Sequence, residues 1–270
     1  LTQVDKVLLS KLLTLAEYGY YTLATTVASA LYMLISPITE AWFPRLTQLF
    51  TSQDFSTLTR TYHQGAQLVT VVMGSAAMVL IFFSETFLQL WGKNSELAQR
   101  SAPLLSILVL GNMLNGLMWV PYQTQLAYGW TRLGLQINTV AVAFIVPAIL
   151  WLTPRYGAMG ACWAWVSLNA GYVLIGVHFM HRRILKTEKW FWYRQDLLYP
   201  LISSGVVVVV IRYFLPSPVG LFPQLGTLAL ASVSSFLAAT LGANMVRKQV
   251  KTVFVSSLNT LFSRDITRKI

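Results

Sequence analysis

Residues 20–43 read YYTLATTVASALYMLISPITEAWF, and this stretch decides the fold. Wound as a helix at about 1.5 Å per residue, it reaches about 36 Å, enough to cross a hydrocarbon core about 30 Å thick. Its polar side chains are not scattered. Thr22, Thr25, Ser29, Tyr32, Ser36 and Glu40 follow at steps of three or four and share one face, while Leu23, Val27, Leu31, Leu34 and Ile38 cover others. The reading is a membrane helix with one face turned away from lipid.

The rest of the chain has the same character. Of its 270 residues 55% are hydrophobic and 11% charged, against about 25% charged in a soluble domain. With a mean hydropathy of +0.57, this composition defines a polytopic membrane protein. Only helices satisfy their own backbone in lipid one crossing at a time, so the expected fold is an all-α transmembrane bundle. After a partial helix at Leu1–Leu15, seven full spans are expected near 20–43, 66–90, 101–127, 133–153, 158–180, 198–215 and 224–246. The chain opens inside a helix without an initiator methionine and is read as lacking its N-terminal part. Residues 54–65 suggest a short interfacial helix with Phe55, Leu58 and Tyr62 toward lipid. Trp91, Trp130, Trp151, Tyr156, Trp190, Trp192 and Tyr213 fall where headgroup belts are expected.

The net charge of +11 comes from basic residues in the short connections, so topology accounts for it and a nucleic-acid surface is not expected. Assigning loops alternately places 14 Lys and Arg on one side, from Arg45, Arg60 and Arg132 through the segment 182–194 to the tail, and 6 on the other. The first side, with the C-terminus, is therefore expected in the cytoplasm. The segment HRRILKTEKWFWYRQD joins basic and aromatic residues in a way that suits an anionic leaflet.

Further polar stripes occur at Gln64, Gln67 and Thr70; at Asn112, Asn115, Trp119 and Gln123; at Gln136 and Asn138; and at Ser167 and Asn169. Exposed to lipid they are costly, so they are expected to face one another or a shared wet lumen. The 198–246 pair looks peripheral to it. Few charges lie near the spans. Asp5 and Glu40 are the two expected in a cavity, whereas Lys11, Arg45 and Glu85 read as interfacial. The single Cys162 permits no internal disulfide, and His178 with His181 lacks the further ligands of a metal site. No phosphate-cradling G-x-x-x-x-G-K-[ST], H-E-x-x-H, C-x-x-C or G-x-S-x-G motif occurs, so neither an enzyme nor a cofactor is expected.

The run VDKVLLSKLLTLAEYGYYTLATTVAS, followed by PITEAWFPRLTQLF, AYGWTRLGLQIN and PRYGAMGACWAW, resembles the second half of Wzx-type lipid-linked O-antigen flippases. These belong to the multidrug, oligosaccharidyl-lipid and polysaccharide exporter superfamily. The resemblance implies a two-lobe carrier whose second lobe is 1–183, with a cytoplasmic basic and aromatic loop at 184–197, two extra helices at 198–246 and a basic tail at 247–270. It implies transport of polyprenyl-pyrophosphate-linked oligosaccharide to the outer leaflet of the inner membrane by alternating access; without an ATP site the drive is an ion gradient, of protons or sodium, or consumption of the cargo. Membrane lipids and the glycan polymerase machinery are the other implied partners. The substrate path is then assigned to Asp5, Lys6, Ser29, Tyr32, Ser36, Glu40, Arg45, Asn112, Asn115 and Gln123. In this assignment Asp5 or Glu40 carries the coupling ion, and Lys6 and Arg45 attract the anionic headgroup. A drug antiporter of the same superfamily and a membrane-embedded glycan polymerase or transferase are the alternatives.

Overall fold

The computed structural model describes residues 4–92, 94–215 and 220–252, and every element among them is a helix. A short leading helix, Val4–Leu12, precedes seven helices long and apolar enough to cross a membrane. These are Leu15–Thr51, Phe55–Phe82, Ser95–Ala127, Thr131–Tyr156, Ala158–Arg183, Lys189–Phe214 and Leu221–Gly242, called the first to seventh spans below. The helix Ser84–Gly92 follows the second span.

Local chemistry starts and stops these helices. Thr14 caps the first span reciprocally with Glu17: its hydroxyl accepts from the Glu17 N–H, and Glu17 accepts from the Thr14 N–H at 3.1 Å. Asp54 caps the second span by accepting from the Thr57 N–H at 3.1 Å, and these hydrogen bonds hold its carboxyl below the usual range. The fourth and fifth spans meet at a single residue, Gly157, with φ 58° and ψ −149°, a conformation open in practice to glycine alone. Three spans carry a wider turn, at Thr70–Gly74, Tyr172–Gly176 and Trp192–Leu198, where the ladder shifts to π-helical bonding.

The first, third and fifth spans share the main core, with Ala24, Leu31, Leu105, Val109 and Cys162 nearly inaccessible. The sixth and seventh spans pack on each other and against the second, where Phe83, Val208 and Ala231 form a separate cluster. The connections at 52–54, 128–130 and 184–188 meet at one end of the bundle, the arginine-rich end, where the flanking helix ends carry Arg45, Arg60, Arg132, Arg182 and Arg183. There Leu46, Leu49, Leu58 and Ala127 pack together and Arg183 lies 4.6 Å from the ring centre of Trp130.

Seven crossings appear where seven were expected, but their ends differ. The first span reaches 37 residues because its polar ends keep helical bonding that hydropathy does not register. Residues 54–65 are not an interfacial helix. They form the first turns of the second span, and Leu58 and Tyr62, expected toward lipid, are fully buried. The expected loop 184–197 is likewise helical from Lys189 onward. Trp192 is 0% exposed and belongs to the core, not to a headgroup belt, whereas Trp91, Trp151, Tyr156, Trp190 and Tyr213 are exposed. In the expected tail 247–270 a separate helix that starts at 244 runs through 252; Arg264, Arg268 and Lys269, like Lys93, lie outside the described residues.

Candidate functional site

A cleft of about 250 Å³ opens in the half of the bundle away from the arginine-rich end, between the leading helix and the first, third, fourth and fifth spans. The leading helix contributes Asp5 and Lys6. The first span contributes the hydroxyl series Tyr21, Thr22, Thr25, Thr26, Ser29 and Tyr32, the third Leu108 and Asn112, and the fifth Ala161 and Trp165. Ile145 and Ile149 of the fourth span close the apolar side.

Several of these hydroxyls are already spent on their own helix. Thr25 donates to the Tyr21 carbonyl, Thr26 to that of Thr22 and Ser29 to that of Thr26, each within 2.9 Å. Their oxygens remain available as acceptors. Behind them a side-chain relay fixes the back wall. The Tyr32 hydroxyl donates to Asn115 Oδ1 at 3.2 Å, Asn115 Nδ2 donates to Asn169 Oδ1 at 2.7 Å, and Asn169 Nδ2 donates to the Trp165 carbonyl at 2.8 Å. Trp165 Nε1 in turn donates to Asn112 Oδ1 at 2.8 Å. Tyr32 also stacks on Trp119, ring centres 5.5 Å apart and 7° from parallel. Three spans are thereby held at fixed distance by groups that would be costly in lipid.

Asp5 is different. Its Oδ2 accepts from the Tyr21 hydroxyl at a long 3.4 Å, and its Oδ1 is buried without any hydrogen-bond partner. Buried polar groups are nearly always satisfied, so an orphaned carboxylate oxygen facing a cleft is where a cation, a proton or a donor from cargo gains most.

Of the residues assigned to the path, Asp5, Lys6, Ser29, Tyr32 and Asn112 line this cleft and Asn115 stands directly behind Tyr32. The other four lie elsewhere. The Ser36 hydroxyl donates to Glu40 Oε1 at 2.6 Å, toward the arginine-rich end of the first span. Arg45 is exposed and donates to Gln48 at 2.8 Å, and Gln123 is half-buried on the third span. Tyr21 and Trp165 were missed. Trp165 carried a usable signal, since it precedes Asn169 by four residues and so shares its face.

The expectation of one shared lumen needs correction. The second-span stripe does not reach the cleft. Gln67 is fully buried in a separate network at the arginine-rich end, where its Nε2 donates to Asp196 Oδ1 at 2.9 Å and its Oε1 accepts from the Met245 N–H at 2.8 Å. His63 Nδ1 contacts Asp196 Oδ2, and His63 Nε2 lies 3.2 Å from Glu188 Oε2. Nearby, His181 Nδ1 faces the Val177 carbonyl at 3.0 Å, which places the proton there and leaves Nε2 to accept from the Tyr62 hydroxyl at 3.3 Å. Gln136 and Ser167 line a third place, a groove between the fourth and fifth spans.

Seven apolar helices with a polar cleft among them define a multi-pass membrane protein. A family model, MatE, matches residues 1–152, more than half of the chain. The chain belongs to the MatE family. This agrees with the resemblance carried by the D-K, GYY and FPRL series. Over 162 residues the chain is 22% identical to a protein of Shigella flexneri named "Putative O-antigen transporter", a match covering 60% of this chain and 38% of that protein. The chain thus spans well under half the length of that relative. No solved structure matches it.

Proposed function

We propose that the protein is a carrier for polyprenyl-pyrophosphate-linked oligosaccharide, moving it from the cytoplasmic to the outer leaflet of the inner membrane for surface polysaccharide synthesis. In this reading the helices through 183 are one lobe with the sixth and seventh spans beside it, and the cleft is one wall of a passage that a second lobe completes. The observation that carries it is the cleft itself: hydroxyls and amides from the first and third spans converge beside Lys6 and an unsatisfied Asp5 oxygen, within otherwise apolar helices.

The physical need is clear. Moving even one carboxylate-sized ion into hydrocarbon costs on the order of 20 kcal/mol in the idealised limit, so a pyrophosphate glycan requires a polar wall in place of water. Lys6 meets the phosphate as a point charge, and Thr22, Thr26 and Ser29 face the sugar as acceptors. The two lobes rock so that the passage opens to each side in turn. Asp5 carries the coupling cation, a proton or sodium, and one charge crossing about 100 mV supplies about 2.3 kcal/mol. Glu40, tied to Ser36 outside the cleft, is the less favoured carrier. Glycan polymerase machinery is the expected partner on the outer side.

The test is surface-glycan export in cells whose gene is replaced by Asp5→Asn or Lys6→Ala. Export is expected to fall at least tenfold with the protein still present in the membrane. Unchanged export in both variants rules out this use of the cleft. A drug antiporter is the second reading, favoured by the cleft's 250 Å³, just under the lower end, about 300 Å³, of small-molecule pockets. Gene loss that raises drug sensitivity while leaving surface glycan intact selects it.

A further inference from the structure

On the fourth and fifth spans, nearer the arginine-rich end than the cleft, lies a groove of about 470 Å³. Ile137, Val140 and Phe144 form one wall and Leu168, Tyr172 and Phe179 the other, with Gly171 leaving the floor open. The trough runs between two neighbouring helices. Val140, Phe144, Ile175 and Phe179 are all exposed along it. Apolar surface of this shape at membrane depth suits a hydrocarbon chain, not water.

Its mouth is cationic. Arg132 precedes Gln136 by one turn on the fourth span, and Arg182 and Arg183 follow Phe179 by three and four residues on the fifth, so all three extend the groove's own stripes. Arg183 lies over Trp130, the residue that starts the fourth span, and so bridges the two walls at that end. None of the three forms an ion pair among the described residues; of the acids at this end, Glu188 faces His63 and Asp54 accepts from the Thr57 N–H. Guanidinium groups pair with phosphate bidentately, so a phosphate at this mouth would meet matching donors.

We propose that this groove holds the isoprenoid chain of a polyprenyl phosphate, with its phosphate on Arg132, Arg182 and Arg183. The choice of lipid rests on the carrier function proposed above; the groove and its mouth call for an apolar chain that ends in a phosphate. The headgroup sugars are then delivered toward the cleft while the tail remains against the outer side of the same two helices.

The probe is radiolabelled polyprenyl phosphate without sugar, retained by the full-length protein in phosphatidylcholine nanodiscs. Gly171→Leu fills the floor, and its new side chain starts in open space, because no atom lies within 4 Å of the position a Cβ would take. Gly171→Leu and the triple variant Arg132→Gln, Arg182→Gln, Arg183→Gln are each expected to lower retention at least tenfold at unchanged thermal stability. Should Gly171→Leu fail to fold, Ser167→Phe, at an exposed position of the wall, asks the same question. Unchanged retention in the filled groove or in the triple variant overturns the proposal, as does displacement of the probe by an equal mole fraction of phosphatidylglycerol. Because the probe carries no glycan, a carrier that fails the export test can still retain it, and the two readings fall separately.

Discussion

The cleft near Asp5 and the network around His63 hold similar residue types in opposite states. Around His63 every charged group has an answer: Glu188 and Asp196 flank the imidazole, Gln67 bonds Asp196, and the Met245 N–H bonds Gln67. In the cleft, Asp5 keeps one oxygen without a partner and Lys6 forms no ion pair among the described residues. A satisfied buried network holds helices together, whereas an unsatisfied group weakens the fold and is retained where something else must bind. Under the proposed function the difference gives structure to one site and traffic to the other, and it can be broken by measurement.

The largest effect is expected at the network. Asp196→Ala leaves His63 facing Glu188 alone and Gln67 without its acceptor, and unfolding in mild detergent should show a loss of about 3–5 kcal/mol. Replacing His63 and Asp196 together by leucine should recover much of that loss, since no buried charge is then left alone. A loss below about 1 kcal/mol for Asp196→Ala would mean that the network does not anchor the sixth span. Next comes Gly111→Ala, which forces its new methyl against the Trp165 indole. Overpacking of this kind costs about 1–3 kcal/mol, and the accompanying shift of Trp165 away from Asn112 should appear in its fluorescence.

Smaller still is Asn169→Ala, which removes the last member of the Tyr32–Asn115–Asn169 relay. Interhelical polar contacts in membranes are worth about 0.6 kcal/mol, with a maximum near 1.7, so a modest fall in unfolding free energy is expected, non-additive with Asn115→Ala. The smallest change belongs to Asp5→Asn. It removes a charge that the fold leaves half unanswered, so stability should hold or rise slightly while transport fails. If Asp5→Asn destabilised the protein as strongly as Asp196→Ala, the contrast between the two regions would collapse.

The number of crossings was legible because lipid imposes it: a helix long and apolar enough to span can be counted one segment at a time. The hydroxyl face of the first span was legible for a similar reason, since steps of three and four place Ser29 and Tyr32 together whatever surrounds them. Pairing was not legible. Asp196 stands in KWFWYRQD, which reads as an interfacial loop until His63, distant in sequence, supplies its partner. Tyr62 looked lipid-facing for the same reason, because its side of the second span is covered by the fifth and sixth spans, which periodicity within one segment does not register. Stripes on separate spans likewise say that each has a polar side, not that the sides meet. Gln67 and Asn112 illustrate the failure, one in the network and the other in the cleft.

Gly157 joins the fourth and fifth spans through one residue in a backbone state that other side chains rarely take, and Gly160 brings the next turn directly against the Leu152 carbonyl. Two rods pinned so closely at one tip can part only at the other, like tweezers. Any flexing of this hairpin therefore spreads the arginine-bearing tips most, and Trp130 beneath Arg183 is the clasp that such flexing would have to open.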